Sequence, residues 1–311
     1  MSKFVLFMNY LKVSNLILVL IFPVILFAQN TGKPYEIDLY GSMNQYKEFY
    51  LSEVAEDVEY VKLENHPDGM IAYANIIRAG EFFVVSDWRK PIMIFVTTGE
   101  FIRTIGSFGQ GPQEYTRAYR CQVDQINQWI YILHREKRMI LKFSINGDFL
   151  GDIKLEHRSS NFCLLPDQRL LVSTNSNYQD DIFYPLCILG PEGQMEHQIQ
   201  GHNQLLGAKS STSFTPGFNP IINGDVILAN FVGDIVYKVD LDGHMIPFAE
   251  FELGKYKLPH KYLEGGKGFR FSELSKDYII SVGCSEIGNF LKISYSLNHE
   301  SHSGFFDKES N

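Results

Sequence analysis

The sequence predicts an all-β fold made of repeated four-stranded units, and three observations support this. A turn glycine recurs at Gly99, Gly147, Gly193 and Gly243, with separations of 48, 46 and 50 residues. Each glycine lies between short apolar segments that are typical of antiparallel strands. After the N-terminal leader, helical periodicity of useful length is nearly absent. Four short strands in a unit of about 40–50 residues is the pattern of a propeller blade, so the predicted architecture is a β-propeller of four-stranded antiparallel blades.

The first two units show the pattern most clearly. Strands are predicted at 74–77, 82–85, 92–96 and 101–105 in the first, and at 119–123, 129–133, 139–143 and 149–150 in the second. The pairs Asn146-Gly147 and Asp242-Gly243 favour tight hairpins, because the backbone at the second position needs a positive φ. Runs without polar alternation, such as Phe82 to Val85, fit blades that are buried on both faces.

The later units are shorter versions of the same pattern. First strands are predicted at 162–165 and 218–222, second strands at 170–172 and 226–228, and third strands at 186–189 and 235–239. A fifth unit is indicated by the segments 278–282, 290–295 and 304–306, and it lacks a fourth strand. The segment Val58–Leu63 precedes the first unit and is expected to complete the last blade from the N-terminal side, which would close the ring.

The N-terminus has the parts of a secretory signal. Lys3 and Lys12 precede an apolar run from Leu16 to Phe27, which is followed by Ala28. The run is shorter than the roughly 20 residues that span a bilayer, although an uncleaved anchor is the open alternative. We therefore expect a signal peptide at 1–28, a single propeller domain at 29–311, and no stable membrane span after cleavage.

The charge of the chain restricts its partners. The net charge is −8, and removal of the leader with its two lysines takes it to −10. Binding to phosphates requires a basic surface, so nucleic acid is not an expected partner. We expect the exported protein to be a monomer in the periplasm or on the cell surface of a Gram-negative bacterium.

Four cysteines are present, at Cys121, Cys163, Cys187 and Cys284, and their spacing matches no metal motif. Cys121 and Cys163 fall at the same point of adjacent units, where small buried thiols are favoured. In an exported protein a disulfide is also possible. Free core cysteines and at least one disulfide are therefore both open.

The segment Ile105 to Tyr115, with the sequence IGSFGQGPQEY, resembles the inter-blade motif of the six-bladed, NHL-like and TolB-like propellers of Bacteroidetes. Gln113 stands where that family has a further glycine. The resemblance implies a six-bladed ring with five units visible and the last incomplete, hence C-terminal truncation or closure in another way. It also implies an alternative function, because some related propellers are metal-dependent lyases or lactonase-type hydrolases with a metal in the central channel. The candidate inner strands offer mainly Asn75, Asp124 and Asn219 for such a metal.

The loops that join the second and third strands are the preferred place for a binding site, because equivalent loops of successive blades lie on one face of a rigid scaffold. Two of these loops and the glycine-rich segment supply the ligand-binding candidates Trp88, Arg89, Lys90, His134, Arg135, Arg138, Gln110 and Glu114. An aromatic ring beside a guanidinium suits a sugar or a carboxylate. The alternative is that these are solvated hairpin tips and that the glycine-rich segment is a plain crossover between blades.

No catalytic motif is present, and neither a metal site nor a cofactor is predicted. Asp240 and Asp242 are expected to belong to a hairpin turn rather than a calcium loop, and His299 and His302 to a solvated tail. The sequence therefore favours a non-catalytic propeller that binds a protein, peptide or carbohydrate ligand. The metal-dependent lyase or hydrolase is the alternative.

Overall fold

The computed structural model describes residues 33–43, 45, 50, 52, 57–65, 71, 74–87, 90–118, 120–174, 178–179, 182–200, 217–220, 226–229, 232–262 and 271–309. The compact unit Tyr35–Asn311 holds every element described below. The proposed signal peptide at 1–28 lies outside the described residues. Within them, no helix combines the length and apolarity that a bilayer crossing requires.

The first half of the unit contains two complete blades. It begins with strand β1 (Tyr35–Asp38) and the short helix α1 (Leu39–Ser42). The first blade comprises β2 (Ala74–Ala79), β3 (Phe82–Asp87), β4 (Ile92–Val96) and β5 (Phe101–Ile105). The short strands β6 (Ser107–Phe108) and β7 (Glu114–Tyr115) follow. The second blade comprises β8 (Cys121–Asp124), β9 (Trp129–His134), β10 (Met139–Ser144) and β11 (Phe149–Lys154).

Three further sheets complete the described fold. The third contains β12 (Phe162–Leu164), β13 (Leu170–Ser173), β16 (Leu186–Leu189) and β17 (Met195–Ile199), with β14 (Tyr178–Gln179) and β15 (Ile182–Phe183) as a separate hairpin. The fourth contains β18 (Gly217–Pro220), β19 (Val226–Ala229), β20 (Ile235–Val239) and β21 (Met245–Glu252). The 3-10 turns Gly254–Tyr256 and His260–Tyr262 and helix α2 (Phe271–Leu274) lead to the last sheet. That sheet contains β22 (Val282–Ile287), β23 (Phe290–Leu297) and β24 (Glu300–Asp307).

These sheets confirm the predicted β-propeller. Neighbouring strands within each blade are antiparallel, and the first four predicted units correspond to four separate sheets. The count expected from the family resemblance is not reached, because the described strands form five blades rather than six, besides two sheets of two short strands each. The last sheet has three strands, in agreement with a fifth unit that lacks its fourth strand.

The core consists of apolar layers between successive blades. Ile92, Ile94 and Ile105 of the first blade pack with Ile130 and Ile132 of the second. The opposite face of the second blade packs through Tyr131 and Leu133 against the third. Both the odd-numbered and the even-numbered residues of β9 are therefore buried. This explains why its sequence does not alternate between apolar and polar residues.

The four recurring glycines have the backbone conformation that the sequence predicts. Their φ angles are +103° at Gly99, +93° at Gly147, +89° at Gly193 and +84° at Gly243. The strand before each turn carries a β-bulge, as between Ile94 and Phe95. The turns at Gly147, Gly193 and Gly243 also approach the outer strand of the preceding blade: an added Cβ at Gly193 would lie 2.7 Å from Ile153 Cγ2. The glycines therefore serve both the hairpin and the packing between blades.

The segment Val58–Leu63 does not form a strand and does not pair with the last sheet in the described structure, so the expected ring closure is not observed. It lies instead against the turn of the first blade, where the Glu64 amide donates to the Gly99 carbonyl at 2.8 Å. Leu63 and Ile71 cover Val85, Met93 and Phe95. The N-terminal strand that joins a sheet is β1, which pairs in parallel with β21 of the fourth blade.

The last sheet has one face packed against the fourth blade and one face that is mainly solvated. Val282 and Cys284 of β22 and Leu291 and Ile293 of β23 pack towards the fourth blade. On the opposite face, Lys292, Ser294 and Ser296 of β23 are exposed. This clean alternation is typical of a sheet with one solvated face.

All four cysteines are free and buried, which confirms the interpretation as core thiols. Burial raises the pKa of Cys121 to about 12, so this thiol is unreactive at neutral pH. The prediction that His299 and His302 lie in a solvated tail is wrong, because both residues belong to the hairpin of β23 and β24. His302 stacks on Tyr295 across this hairpin, with ring centroids 5.0 Å apart.

Candidate functional site

The strand order places two kinds of loops on the same face of the propeller. The turn between the second and third strands of a blade and the crossover from its fourth strand to the next blade both end on one side, which we call the upper face. The Leu155 amide, at the start of such a crossover, donates to the Arg138 carbonyl of such a turn at 2.8 Å. The turn glycines lie on the opposite, lower face.

The predicted binding residues fall on the upper face wherever the structure describes them. Trp88 and Arg89 lie outside the described residues. Lys90 follows β3, and its amide donates to the Asp87 carbonyl. His134 is the last residue of β9, Arg135 and Arg138 belong to the turn that follows it, and Gln110 and Glu114 belong to the crossover from the first to the second blade.

Lys137, which the sequence analysis did not select, connects two of these loops. Its ammonium donates to the carbonyl oxygens of Gln110 at 2.9 Å, Gly111 at 2.6 Å and Glu114 at 3.4 Å. No local pattern could have shown this contact, because it joins residues more than 20 positions apart. Lys137 therefore holds the turn after β9 against the glycine-rich crossover and stiffens the surface between them.

The glycine-rich crossover is closed by its own side chains. The Glu114 carboxylate accepts a hydrogen bond from the Gly111 amide at 2.7 Å. The carboxylate thereby occupies the position where an external anion would bind if the amides of this loop formed an open nest. The Tyr115 ring enters the core between the first two blades, and its hydroxyl donates to the Ile105 carbonyl at 2.6 Å. This arrangement favours the interpretation of the segment as an inter-blade crossover.

The two loops and the next crossover form one surface, which we call the upper loop surface and define by the described residues of 110–120, 134–138 and 155–158. It contains six basic residues, Arg117, Arg120, Arg135, Lys137, Arg138 and Arg158, and three acidic residues, Glu114, Glu136 and Glu156. The chain as a whole has 28 basic and 36 acidic residues, so positive charge is concentrated here. The side chains of Arg117, Arg120, Arg138 and Arg158 are exposed.

Arg138 has a backbone conformation that is unfavourable for its residue type, with φ at +53°. A residue other than glycine in the left-handed region costs free energy, about 1 kcal/mol, and such residues concentrate at functional sites. This strained residue lies on the upper loop surface.

His134 lies beneath this surface and is only 1% exposed. The Lys137 amide donates to its Nδ1 at 3.4 Å, and Glu136 Oε2 lies 3.5 Å from the same nitrogen. Its Nε2 is buried and has no hydrogen-bond partner among the described residues. Burial, and secondarily the nearby Lys137 ammonium, lowers the pKa of His134 below its usual 6.5.

This lowered pKa predicts that acidification destabilises the protein. Unfolding exposes His134 to water, where it binds a proton near pH 6.5, whereas the folded state resists protonation. The free energy of unfolding should therefore fall as the pH drops from about 6.5 to the folded-state pKa, and this contribution should be absent above pH 7.5. Urea unfolding of wild type and His134→Gln between pH 8 and pH 5 measures how much of the pH dependence of the unfolding free energy comes from His134. His197→Gln, at an exposed position, is the control and should keep the pH dependence of wild type. If His134→Gln also kept the pH dependence of wild type, the prediction would be contradicted.

The alternative metal centre in the channel receives little support from the described side chains. The Asp124 carboxylate accepts the amides of Ile126 and Asn127 and the Asn127 side chain, so it stabilises the turn between β8 and β9. Asn75 is exposed, and the Asn219 side chain lies outside the described part of the chain. Asp124 thus has a structural role.

Two further features lie on the lower side of the molecule. Asp240 accepts the amides of Asp242 and His244 and contacts His244 Nδ1 at 3.0 Å, which explains this acidic group as part of a hairpin turn, as predicted. A groove of about 680 Å³ lies between β11 and the turn at Gly193. It is wide and shallow and includes none of the residues of the upper loop surface, so it does not support the candidate site.

Comparison with solved structures confirms the fold. A Bacteroides fragilis protein regarded as exported is 16% identical, with a TM-score of 0.68, and the match covers 89% of this chain and 77% of that protein. A member of the DUF4221 family from Bacteroides vulgatus is 8% identical, with a TM-score of 0.48 and coverage of 79% and 85%. Virginiamycin B lyase from Staphylococcus aureus is 9% identical, with a TM-score of 0.43 and coverage of 75% and 68%. At these identities the first comparison shows a shared fold alone.

Sequence comparison places the chain in a family. A search of curated proteins found no match. A family model does match residues 34–311, which include all the strands described above. The chain therefore belongs to the family called Domain of unknown function DUF4934.

Proposed function

We propose that this protein is an exported, non-catalytic binding propeller whose upper loop surface binds a ligand that carries carboxylate or sulfate groups. The observation that supports this most is the concentration of exposed arginines on rigid, cross-linked loops of an acidic protein. Guanidinium groups form paired, charge-assisted hydrogen bonds with such anions. The leader at 1–28 supports export to the periplasm or the cell surface.

The rigidity of the surface supports binding rather than a mobile lid. Lys137 connects the turn after β9 to the preceding crossover, and the contact between Leu155 and Arg138 connects it to the next. Loops held in this way lose little conformational entropy when a ligand binds. The arginines project from this fixed base.

The proposal is tested by calorimetric titration with polygalacturonate, dextran sulfate and neutral dextran. We expect binding of at least one anionic polymer, weakened by salt because exposed charges are screened, and no binding of dextran. The triple variant Arg120→Gln, Arg138→Gln, Arg158→Gln should lose about tenfold or more in affinity, which corresponds to about 1.4 kcal/mol.

The matched control is the triple variant Lys62→Gln, Lys154→Gln, Lys292→Gln, which removes the same charge from exposed positions outside the surface. It should keep the affinity of the wild type. Equal losses in the two variants would show that only the net charge matters, and absence of anion binding to wild type would refute the proposed function.

A further inference from the structure

A second candidate surface lies on the upper face, in the long crossover from the fourth blade to the last sheet. This region carries two tyrosine pairs, Tyr40 with Tyr256 and Tyr262 with Tyr278, which we call the tyrosine platform. The crossover is on the upper face because Lys257 forms an ion pair with Asp234, in the turn between the second and third strands of the fourth blade, at 2.5 Å. The platform and the upper loop surface therefore share one face but belong to different blades.

The platform consists of two ring pairs, each with a lysine beside it. Tyr40 and Tyr256 have centroids 5.9 Å apart, and Tyr262 and Tyr278 have centroids 5.8 Å apart. Lys255 Nζ lies 5.1 Å from the Tyr256 centroid, and Lys261 Nζ lies 4.9 Å from the Tyr262 centroid. Ammonium groups at these distances are attracted to the ring faces.

Backbone contacts hold the two pairs together. The Ile279 amide donates to the Tyr256 carbonyl at 2.9 Å, which joins the backbone that follows Tyr278 to the backbone of the first pair. The Tyr40 ring covers Gly254, where an added Cβ would lie 2.5 Å from Tyr40 Cγ. The platform is thus built on paired backbone rather than on a loose loop.

The chemistry of this surface suits an acidic sugar. Tyr40 is 42% exposed, and the other three rings are partly exposed. The apolar C–H face of a pyranose packs on such rings, whose hydroxyl groups stay in contact with water. Of the nearby acids, Asp234 is paired with Lys257 and Glu252 accepts the Gly254 amide. Glu273 and Asp277 are exposed. Lys255 and Lys261 are exposed as well, and their ammonium groups can contact a carboxylate of the sugar.

We propose that the ligand is an extended acidic polysaccharide that crosses the upper face and contacts both the upper loop surface and the tyrosine platform. This rests on the proposed function, and it adds the class of ligand and a second contact area. A chain that reaches both surfaces gains affinity because its second contact is made within the complex. A short oligomer that reaches one surface lacks this gain.

The test compares long polygalacturonate with trigalacturonate, using the full chain and calorimetry. We expect the polymer to bind at least about tenfold more tightly per site than the trimer. A triple variant combines Lys255→Gln, Lys261→Gln and Tyr40→Leu. It should have a lower affinity for the polymer and an unchanged affinity for the trimer, which binds the upper loop surface. Lys154→Gln with Lys292→Gln is the control for charge and should change neither.

The outcomes separate the two proposals. Equal affinity of wild type for polymer and trimer would overturn the extended ligand while leaving the proposed function in place, and this result does not depend on any variant. Equal binding of polyglutamate and polygalacturonate would overturn the assignment to a sugar. If neither polymer nor trimer bound, and dextran sulfate did not bind, the proposed function itself would be refuted.

Discussion

Replacement of Tyr115 by alanine is expected to lower the free energy of unfolding by about 3–5 kcal/mol, because it empties a fully buried ring site between the first two blades. The ring contacts the core cluster of both blades, so the cavity would lie at their junction. The hydroxyl adds a second contribution. It accepts the Ile92 amide at 2.9 Å and donates to the Ile105 carbonyl. Urea unfolding followed by tryptophan fluorescence measures the loss.

Tyr115→Phe separates the hydroxyl from the ring. It leaves a buried amide and a buried carbonyl without this partner, and we expect a cost of about 1–3 kcal/mol. Tyr60→Phe is the control, because Tyr60 is 94% exposed and its hydroxyl should contribute little. Wild-type stability of Tyr115→Phe would show that the hydroxyl does not connect the two strands.

The second large effect is expected at Gly99. In Gly99→Ala the new Cβ would lie 2.2 Å from the Lys62 carbonyl oxygen, a backbone atom that cannot move alone. Gly147→Ala is the matched control, since it has a similar φ and nothing closer than 3.9 Å. In the control, the free energy of unfolding should fall by about 1–2 kcal/mol because of the backbone conformation alone. In Gly99→Ala it should fall by about 1–3 kcal/mol more because of the clash.

Hydrogen exchange adds a local measurement. The clash should displace residues 57–65 from the first blade, so the Glu64 amide should exchange faster in Gly99→Ala than in Gly147→Ala. Equal stability and equal exchange in the two variants would show that Val58–Leu63 does not pack on this turn.

The comparison between these glycines also explains the place of Val58–Leu63. The Thr104 carbonyl oxygen would lie 4.0 Å from a Cβ added at Gly147, and the Lys154 carbonyl oxygen would lie 3.5 Å from a Cβ added at Gly193. Both carbonyls belong to the outer strand of the preceding blade. Lys62 stands in the same relation to Gly99. The segment thus occupies the outer-strand position that a blade before the first one would fill, although it belongs to none of the described sheets. The expectation that this segment acts as an outer strand had a physical basis, and its pairing with the last sheet was wrong for the described structure.

The strands of the first four blades could be predicted because their signals are local. Apolar runs of four to six residues and a glycine with positive φ depend on neighbours a few positions away. The last sheet also carries a local signal, the alternation from Phe290 to Leu297, which predicts a single buried face. The basic and aromatic run from Lys255 to Tyr262 is equally visible in the sequence and was not selected.

The candidate site was only partly predictable. Its location on the loops after the second strands followed from the repeat, because equivalent loops of a propeller share a face. Which side chains build the surface and which remain exposed did not follow. Glu114, selected as a ligand group, binds the Gly111 amide, and Lys137, not selected, binds three carbonyls.

The sequence by itself determined the blade repeat, the turn conformations and the face on which the loops after the second strands lie, because each depends on short-range geometry repeated about every 48 residues. Tertiary structure alone decided that Lys137 connects two loops, that Lys62 covers Gly99, and that the Tyr40 ring lies against Tyr256. These contacts join residues that are distant in the chain, and their free energy comes from packing and burial that no local pattern encodes.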